Sequence, residues 1–290
     1  MYTKKVNHNI TAVLCTLLSI LFISCSQQEI ESPDSLKDTP ITIQSAGVAE
    51  LISRAIYDGV IIGQVDEPVY MGVFIRGGSA DKYNYQNVEY THNGTSWAGE
   101  TMLYEGVGSA QQIYAYYPYV EGTTGTITVN AAEQIDYLVA TPANLASSTV
   151  SLTMSHALAK LVLEATMGLE AKDETIAKVE VQNMYASGTW TIVENSWSGL
   201  SASPDAPIEM TKNEVLVIPM ESCSHFPIII TTGTGRVFKT AVSLEKVGNK
   251  LVAGAAYTIK LQVGQNKVTL TPTTTDPDFP GGWDNETDLK

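Results

Sequence analysis

The chain has 290 residues, a formal net charge of −14 and a mean hydropathy of +0.01. An acidic surface of this kind repels nucleic acid and anionic lipid headgroups, which excludes both as ordinary partners. The carboxylates are scattered and form no run, so the acidity reads as solubility rather than as an interaction tail.

The chain begins with Lys4 and Lys5 ahead of an uncharged stretch from Ile10 to Ile23, the layout of a secretory signal. Those residues would make a helix of roughly 21 Å, whereas a membrane span takes about 20 apolar residues, so no buried anchor is expected there. At the end of the run, Ile23-Ser24-Cys25 resembles the lipobox of bacterial lipoproteins, in which a small residue precedes a cysteine that is acylated and becomes the new N-terminus. The resemblance makes residues 1–24 a signal peptide and Cys25 the lipidation site, with Phe22 standing where Leu is usual. The alternative is an ordinary cleaved signal with a chance cysteine. Ser26 stands where an inner-membrane retention signal would have Asp, which favours the outer membrane, and Gln27-Gln28-Glu29 weakly resembles the surface-export tag of Bacteroidetes lipoproteins. Cys15 lies in the signal and Cys25 would carry lipid, so Cys223 is left alone and no disulfide can form within one mature chain. Cys223 is expected as a small buried residue.

From Ile41 onward apolar residues recur mostly with period two, the pattern of strands with one buried face. Ile41 and Ile43 in "ITIQSAG", Val73 and Ile75 in "MGVFIRG", and Leu152 and Met154 in "VSLTMSH" are examples. So are Val179 and Val181 in "AKVEVQN", and Ile259, Leu261 and Val263 in "YTIKLQVG". "AKLVLEATM" has some helical spacing as well but is rich in strand formers and reads mainly as strand. Asn93-Gly94, between Tyr90 and Trp97, predicts a hairpin, because Asn-Gly readily takes positive φ. In "IYAYYPYV", residues 113–120, alternation puts Tyr114 and Tyr116 on one face of a core strand that bends at Pro118.

Many short strands separated by Gly and Asn turns predict β-sandwich architecture. The stretch 141–150, "TPANLASSTV", separates two strand-rich halves. The expected division is a lipid-attached linker over 25–40, an N-terminal sandwich over 41–148 and a C-terminal sandwich over 149–290. The tail from Thr271 holds three prolines and cannot be a regular central strand throughout.

Candidates for chemistry are few. His92, His156 and His225 are the histidines beyond the signal, and no HExxH, CxxC, P-loop or G-x-S-x-G occurs. His156 is expected as a hydrogen-bonded histidine at a strand end. Asp136, Glu164 and Glu194 flank strand-like runs, where an outward solvated carboxylate is the ordinary reading; paired acids for glycoside cleavage would need about 5 to 9 Å between them. Asp276-Pro277-Asp278 supplies too few oxygens for Ca²⁺. No catalytic residue, cofactor or metal is therefore expected, and the chain is not expected to be an enzyme.

Several fragments together resemble the fimbrillin family of Bacteroidales, the subunits of type V pili. They are the lipobox at Cys25, "SRA" at 53–55, "MGVFI" at 71–75, "NGTSW" at 93–97, "IYAYYPY" at 113–119, "DYLVA" at 136–140 and "LTMSHALAKLVL" at 152–163. The resemblance implies an all-β chain of two tandem transthyretin-like β-sandwich domains. It also implies a lipoprotein precursor held at the cell outer membrane and exposed on the surface, then assembled into a fimbrium that supports adhesion. In polymerising family members an Arg-specific protease cuts in the loop after the first strand, and Arg54 is the matching residue. The displaced first strand would carry Ile41 and Ile43. The donor strand from the neighbouring subunit would match "KVTLTP", with Val268 and Leu270 as its apolar residues. Other fimbrial subunits, the protease, the outer membrane through the lipid, and a host or bacterial surface ligand are the implied partners. The alternative is a non-polymerising surface lipoprotein that binds glycan or a host ligand, which would show exposed coplanar aromatics.

Overall fold

The computed structural model of the chain describes residues 36–48, 68–140, 142–202, 207–270 and 286–289. Cys25 and Arg54 lie outside them. In chain order the strands are β1 (Thr39–Pro40), β2 (Thr42–Val48), β3 (Val69–Arg76), β4 (Tyr85–His92), β5 (Trp97–Gly99), β6 (Leu103–Tyr104), β7 (Gln112–Tyr117), β8 (Thr126–Asn130), β9 (Leu138–Ala140), β10 (Ala143–Asn144) and β11 (Thr149–His156). They continue with β12 (Ala159–Met167), β13 (Ile176–Val181), β14 (Tyr185–Thr191), β15 (Ser196–Ala202), β16 (Ile208–Glu209), β17 (Glu214–Val217), β18 (His225–Thr232), β19 (Val237–Ser243), β20 (Ala256–Val263), β21 (Val268–Leu270) and β22 (Glu286–Leu289). The described helical pieces are short 3-10 turns such as Ala131–Glu133. The chain is all-β, with sheets packed in sandwich fashion, as the alternation predicts.

The first sheet has the order β2-β11-β9-β7-β3-β4-β5, with β10 added to β7. Its edge strands β2 and β5 approach one another, so the sheet curls around its own core, and the β1–β6 pair closes the gap. Ile41, Ile43, Met71, Val73, Ile75, Ile113, Leu152 and Met154 fill that core. The described part of the 141–150 stretch, from 142 on, runs back along this sheet: β10 pairs with β7, and β11, which begins at Thr149, pairs parallel with β2 and antiparallel with β9. The chain leaves the sheet after His156.

A second core lies between the sheet β17-β12-β20-β21, with β22 added to β20, and the sheet β16-β13-β18-β19. "AKLVLEATM" is strand β12, paired with β20 along its length. Leu161, Val181, Phe226, Ile228, Ile230 and Ile259 are fully buried there. Alternation in β18 separates the inward Phe226, Ile228 and Ile230 from the half-exposed residues between them.

A three-stranded sheet, β15-β14-β8, joins the two. One face carries Ile127, Val129 and Trp190, with Ile192 just past β14, onto Phe74, Tyr114 and Tyr116 of the first sheet and onto Leu216 and Ala256 of the second set, with Ile218 just past β17. This covering buries β3 on both faces from Met71 to Ile75. Trp190 is the centre of the junction. Its ring meets Tyr116 edge-on at 6.4 Å and Tyr137 at 5.7 Å, and its Nε1 donates to Asn195 Oδ1 at 2.9 Å. Gly72 is required by the same packing, because a Cβ there would collide with the Tyr116 ring. That ring crosses Gly72 so that its hydroxyl reaches Asn87 Oδ1 at 2.7 Å, and burial pushes the phenol up to about 12.

Candidate functional site

The first described strands switch from one side of the first core to the other. Asp38 N donates to Tyr104 O at 2.8 Å and Ile41 N to Met102 O at 2.7 Å, so β1 extends the β6 pair. One residue later Thr42 N donates to Ser148 O at 2.7 Å, and β2 continues as the partner of β11. Ile41, at the switch, and Ile43, on β2, are 5% and 3% exposed and share the core with Met102, Tyr104, Leu152 and Met154. The structure thus brings the two predicted first-strand residues together in one core, on an edge strand that only β11 holds within its sheet.

The pairing of β2 with β11 is parallel, and it shifts between Val150 and Ser151: Ile43 lies opposite Val150 and Ser45 opposite Ser151. Gln44 is the extra residue of that bulge. It re-phases the strand, so the inward positions pass from Ile43 to Ala46, which is buried. Simple alternation cannot find Ala46.

Two polar ties hold the start of the segment. Asp38 Oδ1 accepts from Lys82 Nζ at 2.8 Å and from the Tyr83 hydroxyl at 2.7 Å, and the Lys82 ammonium and Tyr83 hydroxyl hold the Asp38 carboxyl below its ordinary range. Thr39 Oγ1 donates to Leu36 O at 2.7 Å. Beneath them the fully buried Gln111 donates to Tyr83 O and Leu103 O and accepts from Glu105 N, which fixes the strand that β1 pairs with. The Asp38 ties have no sequence signal, since both partners are more than forty residues away.

Val268 and Leu270 stand far from the first strands in the fold order. They lie on β21, antiparallel to β20 at three residue pairs and half-buried against the second core. The structure does not bring them to the first core within one chain.

The remaining candidates have structural partners. His156 ends β11 with Nδ1 2.8 Å from Asp136 Oδ1, as a hydrogen-bonded histidine at a strand end. The His92 ring lies 5.0 Å from that of Trp97, and its Nδ1 accepts from Gly94 N across the predicted Asn93-Gly94 turn, which is a four-residue loop between β4 and β5. His225 Nδ1 is 2.9 Å from Ser224 Oγ. Cys223 is buried, and burial pushes its thiol up. Glu164 lies 3.6 Å from Lys260 Nζ, and Glu194 is exposed. Among the described residues no group of three or more His, Cys, Asp or Glu could hold a metal ion. Tyr114 and Tyr116, the aromatic pair that alternation set apart, are buried in the junction core.

Comparison with known proteins follows the same line. A relative assigned as fimbrium tip subunit Fim1C of Bacteroides ovatus is 29% identical over 114 residues, which are 38% of this chain and 21% of the relative. The chain therefore spans about a fifth of the length of the curated relative it matches. A protein assigned to cell adhesion from Bacteroides ovatus has a similar solved structure, with a TM-score of 0.59 at 18% identity over 82% of this chain and 96% of that one. Another from Bacteroides uniformis has a TM-score of 0.58 at 18% identity over 72% and 91%. Both likenesses concern the fold. A family model described as fimbrillin-like matches residues 62–276, most of the chain and nearly all of both cores, and the chain belongs to that family.

Proposed function

We propose that this chain is a structural fimbrial subunit, exported as a lipoprotein on Cys25 and assembled by proteolysis-triggered strand exchange. The observation that carries the reading is that Ile41 and Ile43 are buried in the first core on a segment that joins the sheet at its edge. A cut after Arg54 would remove residues 25–54, and with them the lipid and both first strands. The edge of β11 and the Leu103–Tyr104 pair would lose their backbone partners, and the core would lose two large side chains.

An open edge beside an apolar groove invites a strand from outside. A donor with alternating apolar residues restores the ladder and refills the groove, and because the surfaces exchanged are different the contact is head-to-tail and grows as a filament. Val268 and Leu270 are the proposed donor residues. Only three residue pairs hold β21 to its own sheet, which favours its release. The division into two domains belongs to the same proposal, with the expected boundary between 148 and 149 moved to after His156 because β11 pairs within the first sheet. The outer-membrane anchor, the Arg-specific protease and a surface ligand belong to it too. The glycan-binding alternative draws no support from Tyr114 and Tyr116, whose rings are buried. Purified precursor treated with an Arg-specific protease should give a ladder of SDS-resistant oligomers. Complete cleavage at Arg54 that yields monomer alone would overturn the proposal.

A further inference from the structure

Two separate segments share one edge of β20, end to end. β21 pairs antiparallel with Leu261 to Val263, and β22 pairs parallel with Ala256 to Ile259. The opposite edge of β20 is taken along its whole length by β12. Pro272, two residues beyond β21, has no N–H to add to a ladder, so the direct continuation of β21 is a poor occupant of what remains. The uncovered part would be an edge in a well-packed strand: Ala256 faces the junction core, and Tyr257 and Ile259 face the second core. A rigid strand with free backbone groups is a template for another strand.

The segment that covers it is held by backbone pairing at four residues. A pairing that short barely offsets the ordering of its own residues and the closing of the loop that carries it, so it exchanges readily. The connection has length to spare. In this chain it bridges from the partner of Leu261 to the partner of Ala256, about 17 Å along the strand. The 15 residues from 271 to 285 can reach about 50 Å when extended.

We propose that the β20 edge at Ala256 to Ile259 is a strand-acceptor site, filled by the chain's own Glu286–Leu289 and equally open to that segment of a second copy. The incoming segment makes the same parallel pairs as the resident one, so the exchange loses no contact and is set by concentration. It is separate from the donor role proposed for Val268 and Leu270, which pair with Leu261 to Val263 and not with the β20 residues that β22 covers.

The test uses full-length proteins with two proline pairs, Thr287→Pro with Leu289→Pro and Glu286→Pro with Asp288→Pro. Between them they remove the amide donors at alternate positions, and one pair removes those that face β20. Near-UV circular dichroism checks that the cores are native. In the disruptive pair the β22-facing amides of residues 256–259 should exchange hydrogen at least tenfold faster. A synthetic peptide of residues 284–290 should restore their protection and bind that variant at least tenfold tighter than it binds the unsubstituted protein. Unchanged protection in both variants, or equal peptide binding to variants and parent, overturns the proposal. The parent protein gives an answer that needs no substitution: millimolar peptide should displace the resident segment in part, seen as peptide-bound chain by native mass spectrometry, and no bound peptide at that concentration contradicts the site.

Discussion

Ile43→Ala is the sharpest perturbation of the first strand. The residue is 3% exposed, and the change removes three carbons from the first core. At about 0.8 kcal/mol per buried CH₂ the transfer part is roughly 2.4 kcal/mol. A cavity adds to this, but an edge strand can settle inward, so the total should be about 3 kcal/mol, within the roughly 2 to 5 kcal/mol of such core truncations. Gln44→Ala is the control, because Gln44 is exposed at the bulge and should cost within about 0.5 kcal/mol of nothing. Urea unfolding of both variants, with midpoints compared at a common slope, reads the difference. If Ile43→Ala falls within about 1 kcal/mol of Gln44→Ala, the strand is not seated in the core and the argument that its removal opens a groove fails.

Other outcomes follow from separate parts of the molecule. The Glu174 carboxyl, hydrogen-bonded by Thr234 and Arg236, is held at about 2 against an ordinary 4.5. A depressed carboxylate adds stability that is present above 4.5 and lost as pH falls toward 2, so between those values the Tm of the parent should fall more steeply than that of Glu174→Gln; parallel Tm curves would refute the tie. Gln134 pairs with both backbone groups of the buried Leu216, at 2.7 and 3.0 Å, so Gln134→Ala should cost about 2 kcal/mol or more in chemical denaturation, and a loss under about 0.5 kcal/mol would contradict it. Cys25→Ala should abolish incorporation of a fatty-acid analogue, and equal labelling of variant and parent would rule out lipidation there.

The strands were legible because burial on one face leaves a period of two. Ile41, Ile43, Leu152 and Met154 sit inward as read, and β12 is a strand despite its partial helical spacing. Where both faces are covered the pattern fades, as in β3, and nothing in a single sequence says which strands do the covering. The β15-β14-β8 sheet was not foreseeable for that reason: β8 and β14 each alternate properly, but their pairing joins residues some sixty apart. The parallel β2–β11 pairing and the bulge at Gln44 were equally hidden, since period two does not report direction or register. Turn chemistry gave the Asn93-Gly94 hairpin but not its loop length. Side-chain ties such as Gln134 with Leu216 depend on tertiary proximity that has no local signature.

The central claim is that one cut both frees the subunit and empties the acceptor groove. Electron microscopy of filaments from cells carrying Arg54→Ala, beside gel mobility of the subunit, tests it most directly. The account predicts no filaments and a lipidated, membrane-bound monomer that retains residues 25–54. Filaments of normal length built from that uncut protein would contradict it.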